Sequence, residues 1–467
     1  MSVLPAKGQL FDIEVPILII GGGASGLVAA LAAKDAGADP VVLERDLVAS
    51  GSTALSSGMI PACETRIQRE QGVADSVDIM TADIMRKSRD QADPELVGAM
   101  CRASGPTINW LTEKHGLELT LVEGFLYPGH SQLRMHAPKS RSGMDLMAGL
   151  MKAVEAAGID IMVGAHVTDL FADTQGTVKG VRIERPDGSS EAIGCAAIIL
   201  ACNGFGGNTD MVRQLIPDME NALYFGHQGN QGDAIRWGQA LGAATKHLGS
   251  YQGHGSVCHP HGILMSWALM MEGGVQLNAE GKRFSNEHDG YSEQARRVLQ
   301  QPGGIAWNIF DSRLRDLVAD FEDFRQAESH GAIFKANNLI ELAQIIEVDE
   351  TCVRKTFDDI SRFAEDEQRD SFGRNFSAHP LLQAPFFAVR VTGALFHTQG
   401  GLVVDAKTRV LDRCAHPLRN LFASGGAACG VSGSEDWGYL SGNGLLSAVS
   451  LGRIAGISAA ELVVVNR

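Results

Sequence analysis

The chain has 467 residues, 45% hydrophobic and 20% charged, with a formal net charge of −15. That length exceeds what one compact core supports, so two or more domains are expected. The negative balance argues against a nucleic-acid partner and against an anionic membrane surface.

The opening residues MSVLPAKGQLFDIE carry acidic side chains and no apolar core, so no signal peptide is expected. Residues 15–20, VPILII, form an all-apolar run, the pattern of a parallel strand buried on both faces. GGGASG follows, then an Ala-rich helical stretch closing on Gly37, then a second buried strand, VVLERD, at 41–46. Gly21, Gly23 and Gly26 provide GxGxxG, and Glu44 lies 18 residues beyond Gly26. Gly21 allows the tight turn, Gly23 lets backbone approach a pyrophosphate, and Gly26 permits close helix–strand packing. The helix N-terminus faces the anion, and Glu44 accepts from a ribose diol.

No second βαβ unit with this fingerprint appears, so FAD is expected rather than a separate nicotinamide domain. The small-residue loop SGSTALSSGMI, 50–60, is suited to run beneath an isoalloxazine. Residues 143–157 have helical apolar spacing. Three strands follow, with PDG at 186–188 as a hairpin turn. AAIILACNGFGGN reads as a buried strand ending in glycines, and GNQGDAIRWGQALGAAT as a helix with Asp233 in its first turn.

From about residue 252 the character changes to His-rich turns and charged helical stretches, so 252–396 reads as an inserted second domain. His254, His259 and His261 fall in a Gly/Pro turn without carboxylate or thiol company in a metal-binding pattern, so no metal is expected. NLFASGGAACG reads as strand and Gly-rich turn, and SGNGLLSAVSLGRIAGISAAELV as a Gly-started helix completing the nucleotide domain. No run of about 18 apolar residues is seen, so no membrane-spanning helix is expected. The eight cysteines are scattered, with neither CxxC nor CxxCH, as for reduced thiols in a cytoplasmic protein. Tyrosine is scarce, five residues at 127, 224, 251, 291 and 439, and Tyr291 ends the polar loop of GKRFSNEHDGYSEQA.

These segments together resemble the fumarate reductase/succinate dehydrogenase flavoprotein superfamily (FAD-binding type 2), with its relatives the 3-ketosteroid dehydrogenases. The residues carrying the resemblance are GGGASGLVAALAAKDAGADPVVLER, STALSSGMI, ACNGFGGN, GNQGDAIRWGQALGA, His259-Pro260, NAEGKRFSNE, HTQGGLVVD, NLFASGG and YLSGNGLLSAVSLGRIAG. The resemblance spans nearly the whole chain. It implies an α/β fold, a Rossmann-like two-dinucleotide-binding FAD domain (1–251 and 397–467) with an inserted α+β capping domain (252–396), and an active site between them. The implied cofactor-lining set is Gly21, Gly23, Ala24, Ser25, Gly26, Glu44, Arg45, Ser52, Thr53, Ser57, Gly58, His166, Val167, Asn203, Gly204, Asp233, Gly425, Gly426, Asn443, Leu445 and Leu446.

The departures are informative. Fumarate reductases place a proton-donating arginine where Tyr291 stands and a dicarboxylate-clamping arginine where Tyr439 stands. Trp267 and Met270 occupy the Glu and Arg positions of the family's proton relay. STALSSG lacks the histidine of covalent flavin attachment, so FAD is expected to be noncovalent. Gly426 replaces an acidic or amide residue, and Asn203-Gly204-Phe205 stands for the usual GGF. Tyrosines at these places resemble the 3-ketosteroid dehydrogenase branch, which also keeps a tyrosine in a YP segment, here Tyr127. Aligned on Gly442, Tyr439 lies one residue out of that branch's register.

A site built to hold two carboxylates needs guanidinium forks, and here both are phenols. The implied chemistry is α,β-desaturation of a ketone. Tyr439 O–H and Gly442 N–H form an oxyanion hole. Tyr291 is the base, Tyr127 a hydrogen-bonding helper, and His397 tunes or orients the substrate. Arg134, His136 and Arg141 are candidates to hold an anionic substituent on a 3-ketosteroid or smaller cyclic ketone such as an oxocyclohexane carboxylate. Without haem, iron–sulfur or nicotinamide motifs, an external acceptor (quinone, carrier or dioxygen) is expected. The rival expectations are a soluble fumarate- or enoate-type reductase and a non-catalytic FAD-binding module.

Overall fold

The computed structural model describes residues 2–465. Its backbone clusters into two compact units. Among the described residues the first holds 2–216, 226–251 and 397–465; the second holds Pro217–Phe225 and Gln252–Phe396.

The first unit is built on a nine-stranded sheet whose core is parallel. Ile13–Ile20 lies between Ser190–Leu200 and Pro40–Leu43, parallel to both, with Ile17, Leu18, Ile19 and Ile20 buried. Asp160–Met162 extends the sheet beyond Pro40–Leu43. Pro417–Ala423 joins in parallel beside Ser190–Leu200, so the C-terminal strand enters the N-terminal sheet. The hairpin at 186–188 forms: Val178–Glu184 and Ser190–Leu200 pair antiparallel, and the Gly188 N–H donates to the Arg185 carbonyl at 2.9 Å. Ser2–Pro5, which shows no strand pattern in sequence, adds an edge strand beside His166–Ala172.

The helix Ala24–Asp35 is fully buried along most of its length, which its alanines and glycines permit. Its partner is the C-terminal helical stretch Asn443–Val464. That stretch is long and apolar enough by composition to cross a membrane, which corrects the expectation that no such run exists. Its small residues explain the apolarity: a Cβ on Gly452 would meet the Ser25 carbonyl at 2.6 Å, and one on Gly456 the Ala29 carbonyl at 2.1 Å. Backbone-close packing of two helices needs this absence of side chain.

The second unit carries a six-stranded sheet centred on Phe386–Thr398, which pairs with Ile305–Asp311, Ile333–Ala336 and Leu223–Tyr224. Val275, Leu277, Ile309, Leu342, Val353 and Phe386 form its core. The charged stretch after residue 311 forms two short helices, Ser312–Val318 and Glu322–Ser329. Among the described residues all eight cysteines are free thiols.

Candidate active site

The first unit's glycine turn behaves as its spacing predicts. Gly21 has φ +111°, and a Cβ there would meet the Ala201 carbonyl oxygen at 2.6 Å. A Cβ on Gly26 would lie 1.9 Å from the Gly21 carbonyl oxygen, so the helix can start this close to the strand only on glycine. At Gly23, by contrast, the nearest neighbour of an added Cβ is Thr53 Oγ1 at 3.8 Å, which leaves the open approach that a pyrophosphate needs. Glu44 is buried, and its two oxygens accept from the Gly22 N–H (2.7 Å) and the Asp46 N–H (2.9 Å). Each oxygen retains a lone pair for a ribose hydroxyl.

Other members of the expected lining set gather round this turn. Thr53 Oγ1 accepts from the Ala24 N–H at 3.2 Å. Ser52 Oγ accepts from the His227 N–H (3.1 Å) and Asn230 Nδ2 (2.9 Å), with Asn203 Nδ2 3.4 Å away. Arg45 Nη1 donates to the Gly229 carbonyl at 3.1 Å. Ser25 Oγ and Ser424 Oγ, both buried, lie 2.7 Å apart and tie the N-terminal turn to the Gly425-Gly426 turn. The Ala165 N–H donates to the Glu44 carbonyl, placing His166 and Val167 at that strand's end. A Cβ on Gly204 would lie 2.0 Å from Thr398 Oγ1, and one on Gly58 would lie 2.8 Å from the Ser142 carbonyl oxygen. Ser57 is half-buried. Asp233 opens its helix and pairs with Arg236. Leu445 and Leu446 follow Asn443, which is fully buried with an Oδ1 lacking any hydrogen-bond partner. A cradle open at Gly23, an acidic residue with spare lone pairs and an orphaned buried amide oxygen fit a bound FAD.

Beside the cradle, Tyr439 and His397 meet edge-to-face, ring centroids 5.6 Å apart. The Gly444 N–H donates to the Tyr439 hydroxyl oxygen at 3.4 Å. A directional chain fixes the histidine's proton. Asn443 Nδ2 donates to Ser432 Oγ (3.1 Å), which donates to Gln399 Oε1 (2.6 Å), and Gln399 Nε2 donates to His397 Nδ1 (2.8 Å). Nδ1 therefore accepts and Nε2 bears the proton. The 3.3 Å approach of Nδ1 to the Thr398 carbonyl is the weaker contact and does not set the tautomer. Burial pushes the His397 pKa down to about 4, so it is a neutral N–H donor. Ser432 lies in no motif that marks it in sequence, and Gln399 lies in HTQGGLVVD without a role assigned there; their part is found only through this chain.

Gly442 has φ +83°, and a Cβ there would lie 2.7 Å from Pro61 Cδ. Tyr127 donates to Met59 Sδ at 2.9 Å, and burial raises its pKa, so it stays a neutral phenol.

Arg134 corrects an expectation. Its side chain is fully buried, Nε and Nη2 donate to the two Asp75 oxygens (2.9 and 2.8 Å), and Nη1 donates to Asp83 Oδ2 (2.5 Å). Two buried carboxylates already pair with this guanidinium, so it does not hold a substrate anion. His136 is likewise framework: it bonds Thr65 Oγ1 and the Arg134 carbonyl, and burial pushes its pKa down to about 4.

In the second unit Tyr291 is not in a loop but is the first residue of the helix Tyr291–Leu299, entered through Gly290. Its ring is buried and stacked on His254. His254 is buried, its Nδ1 has no hydrogen-bond partner, and desolvation pushes its pKa down to about 3. Trp267 and Met270 hold the preceding turn: Trp267 Nε1 donates to the Glu287 carbonyl (3.1 Å), and His288 Nε2 donates to the Met270 carbonyl (3.1 Å). Glu287 is buried between Arg283 (2.5 Å) and Arg374 (2.7 Å). The spacing of these partners along the chain gave no signal for His254. Among the described residues no group of three or more His, Cys, Asp or Glu side chains is placed to hold a metal ion.

A glycine turn opening a buried helix, an acidic residue at the next strand's end and a returning C-terminal strand define a dinucleotide-binding flavoprotein. The chain belongs to the FAD binding domain family, which matches residues 16–445, and is an FAD-dependent oxidoreductase. It is 29% identical over 449 residues to a probable fumarate reductase, Ifc3, of Shewanella frigidimarina, covering 95% of this chain and 74% of that one. The open conformation of a flavocytochrome c3 fumarate reductase matches with a TM-score of 0.81 and 28% identity, covering 98% of this chain and 80% of that one. A 3-ketosteroid-Δ4-(5α)-dehydrogenase from Rhodococcus jostii RHA1, in complex with 4-androstene-3,17-dione, shares the fold with a TM-score of 0.78 at 24% identity. That match covers 98% of this chain and 100% of that one.

Proposed function

We propose that this flavoprotein is a dehydrogenase that introduces a C=C bond α,β to the ketone of a cyclic substrate. The substrate is a 3-ketosteroid or a smaller ring such as an oxocyclohexane carboxylate, and the electrons pass to an external acceptor. The supporting observation is that phenols stand where the resemblance to fumarate reductases calls for arginines. Tyr291 and Tyr439 are both buried, and the histidine against Tyr439 is neutral. A dicarboxylate needs guanidinium forks, whereas neutral donors suit a ketone oxygen.

In this reading the Tyr439 O–H and Gly442 N–H donate to the carbonyl oxygen and stabilise the enolate that forms as the α C–H bond breaks. His397 orients the substrate through Nε2–H. Tyr291, as phenolate, takes the α proton. Tyr127, a neutral phenol that donates to Met59 Sδ, is the proposed hydrogen-bonding helper, and Arg141 is the remaining candidate to meet an anionic substituent. Bound FAD supplies the two-electron acceptor for the β-hydrogen and its bonding pair. The electrons left by the α proton become the new π bond. Residues 252–396 are assigned as the capping domain.

A second reading, a fumarate- or enoate-type reductase, is favoured by the names of the sequence relatives. Anaerobic titration of the holoenzyme separates the two. Bleaching of the flavin by 4-oxocyclohexanecarboxylate or 4-androstene-3,17-dione supports desaturation. Reoxidation of the prereduced flavin by fumarate, with no bleaching by either ketone, overturns it.

A further inference from the structure

The buried cluster of Asp75, Asp83, Arg134 and His130 takes no part in the reaction as proposed, yet it ends on the segment that does. His130 Nε2 lies 2.9 Å from the carbonyl oxygen of Ser441, the residue before Gly442. We propose that His130 is a positioning residue that aims and polarises the Gly442 N–H through the Ser441–Gly442 peptide, an inference resting on the reading of Gly442 as a carbonyl donor.

The proton inventory supports a single direction for this chain. A guanidinium only donates. Arg134 Nη1 lies 3.2 Å from His130 Nδ1, so Nδ1 accepts and the ring proton sits on Nε2, directed at the Ser441 carbonyl. Desolvation, followed by the charge of Arg134, holds the His130 pKa down to about 4, so the ring stays neutral and keeps this tautomer at working pH. Arg134 is itself immobilised by two buried carboxylates.

The peptide plane carries the effect onward. The 441–442 bond is trans, and in a trans peptide the C=O and N–H point in opposite directions. A donor fixed on the Ser441 carbonyl therefore fixes the direction of the Gly442 N–H. The same bond draws charge toward the oxygen and makes that N–H a stronger donor. The surroundings reinforce the plane: Gly442 is held at φ +83° against Pro61, and a Cβ on Gly129 would lie 2.6 Å from Leu440 Cδ1. The His130 N–H donates to the Tyr127 carbonyl at 3.1 Å, securing the segment from which the imidazole reaches.

The test uses the FAD-loaded enzyme and para-substituted phenols, whose phenolates mimic an enolate oxygen, with binding read from the flavin absorption band. His130→Gln keeps a donor near the Nε2 position; His130→Asn keeps only the side facing Arg134. Phenolate affinity is expected to fall about tenfold in His130→Asn and to stay near wild type in His130→Gln, the scale set by misaiming a reacting group. Tyr439→Phe is the control. Wild-type affinity in His130→Asn, with loss in Tyr439→Phe, overturns the role of His130 and leaves the carbonyl site standing. Wild-type affinity in both variants overturns the carbonyl site and His130's role with it. If His130→Asn yields no holoenzyme, ¹⁵N-histidine NMR of the wild-type holoenzyme decides, with the His130 resonances assigned by their absence in His130→Gln. An Nε2-protonated neutral ring supports the proposal, and an Nδ1-protonated ring overturns it.

Discussion

Tyr291 stacks on His254 with ring centroids 4.8 Å apart and planes 19° from parallel. His254 in turn stacks on Phe396 (5.4 Å) and meets Trp267 edge-on (5.7 Å), so one face of the tyrosine rests on a continuous aromatic wall. Removing the imidazole frees the Tyr291 ring without touching its hydroxyl. His254→Ala is expected to lower kcat/KM by about 10- to 100-fold, on the scale of a misplaced catalytic group. FAD content should stay at the wild-type level. A variant with unchanged kcat/KM would show that the stack does not position Tyr291.

The two phenols should fail differently. Tyr291→Phe removes the proposed base, and turnover of a ketone substrate should drop by about 10²- to 10⁴-fold. Tyr439→Phe removes one donor to the developing oxyanion, for about 10²- to 10³-fold in kcat. Both should retain bound FAD. Stopped-flow measurement of flavin reduction isolates the chemical step, and full-rate reduction in Tyr291→Phe would rule out its role as base.

The glycine turn gives a cofactor prediction. A Cβ at position 26 would sit 1.9 Å from the Gly21 carbonyl oxygen, in rigid backbone that cannot yield. Gly26→Ala is expected to purify without flavin or to misfold. A yellow protein with a full complement of FAD would contradict the packing.

Stability should depend on acid in a definite direction. Burial lowers the pKa of His254 to about 3 and those of His130, His136, His288 and His397 to about 4. Between these values and the unfolded 6.5 the unfolded chain binds more protons, so stability falls as pH drops below about 6.5. Replacing one of these groups should flatten the slope. His254→Phe is expected to show a shallower decline of Tm between about pH 6.5 and pH 4 than the wild type. Parallel curves would mean that His254 does not contribute.

Glu287 adds a second acid-sensitive element. Desolvation raises its pKa, but Arg283 and Arg374 overcome that and hold the carboxyl well below the usual range. A depressed carboxylate contributes stability above its unfolded pKa and loses it as pH falls toward the folded value, so this contribution should wane below about pH 4.5. Glu287→Gln leaves two buried guanidinium groups short of their counter-charge and should cost about 3–5 kcal/mol in denaturant unfolding. A loss under about 1 kcal/mol would show that the guanidinium groups find other partners.

The sequence by itself determined the nucleotide half of this protein. GxGxxG, Glu44 and the flanking apolar runs act through neighbours within one βαβ unit, so their spacing carries the geometry. Tyr291 and Tyr439 also stood out in sequence, because phenols replace arginines in otherwise familiar segments. What only the tertiary structure decided depends on residues distant along the chain. Arg134 looks like a free cation in sequence, yet Asp75 and Asp83 reach it across 59 and 51 residues and consume it. Tyr291 reads as a loop residue because Asn, Asp and Gly surround it, and its wall comes from His254 and Phe396 on two separate strands. The C-terminal helix Gly452–Val465 owes its apolar composition to burial against Ala24–Asp35, a contact that local periodicity cannot encode. Covalent proximity makes the first kind of information readable, and long-range packing with its desolvation creates the second.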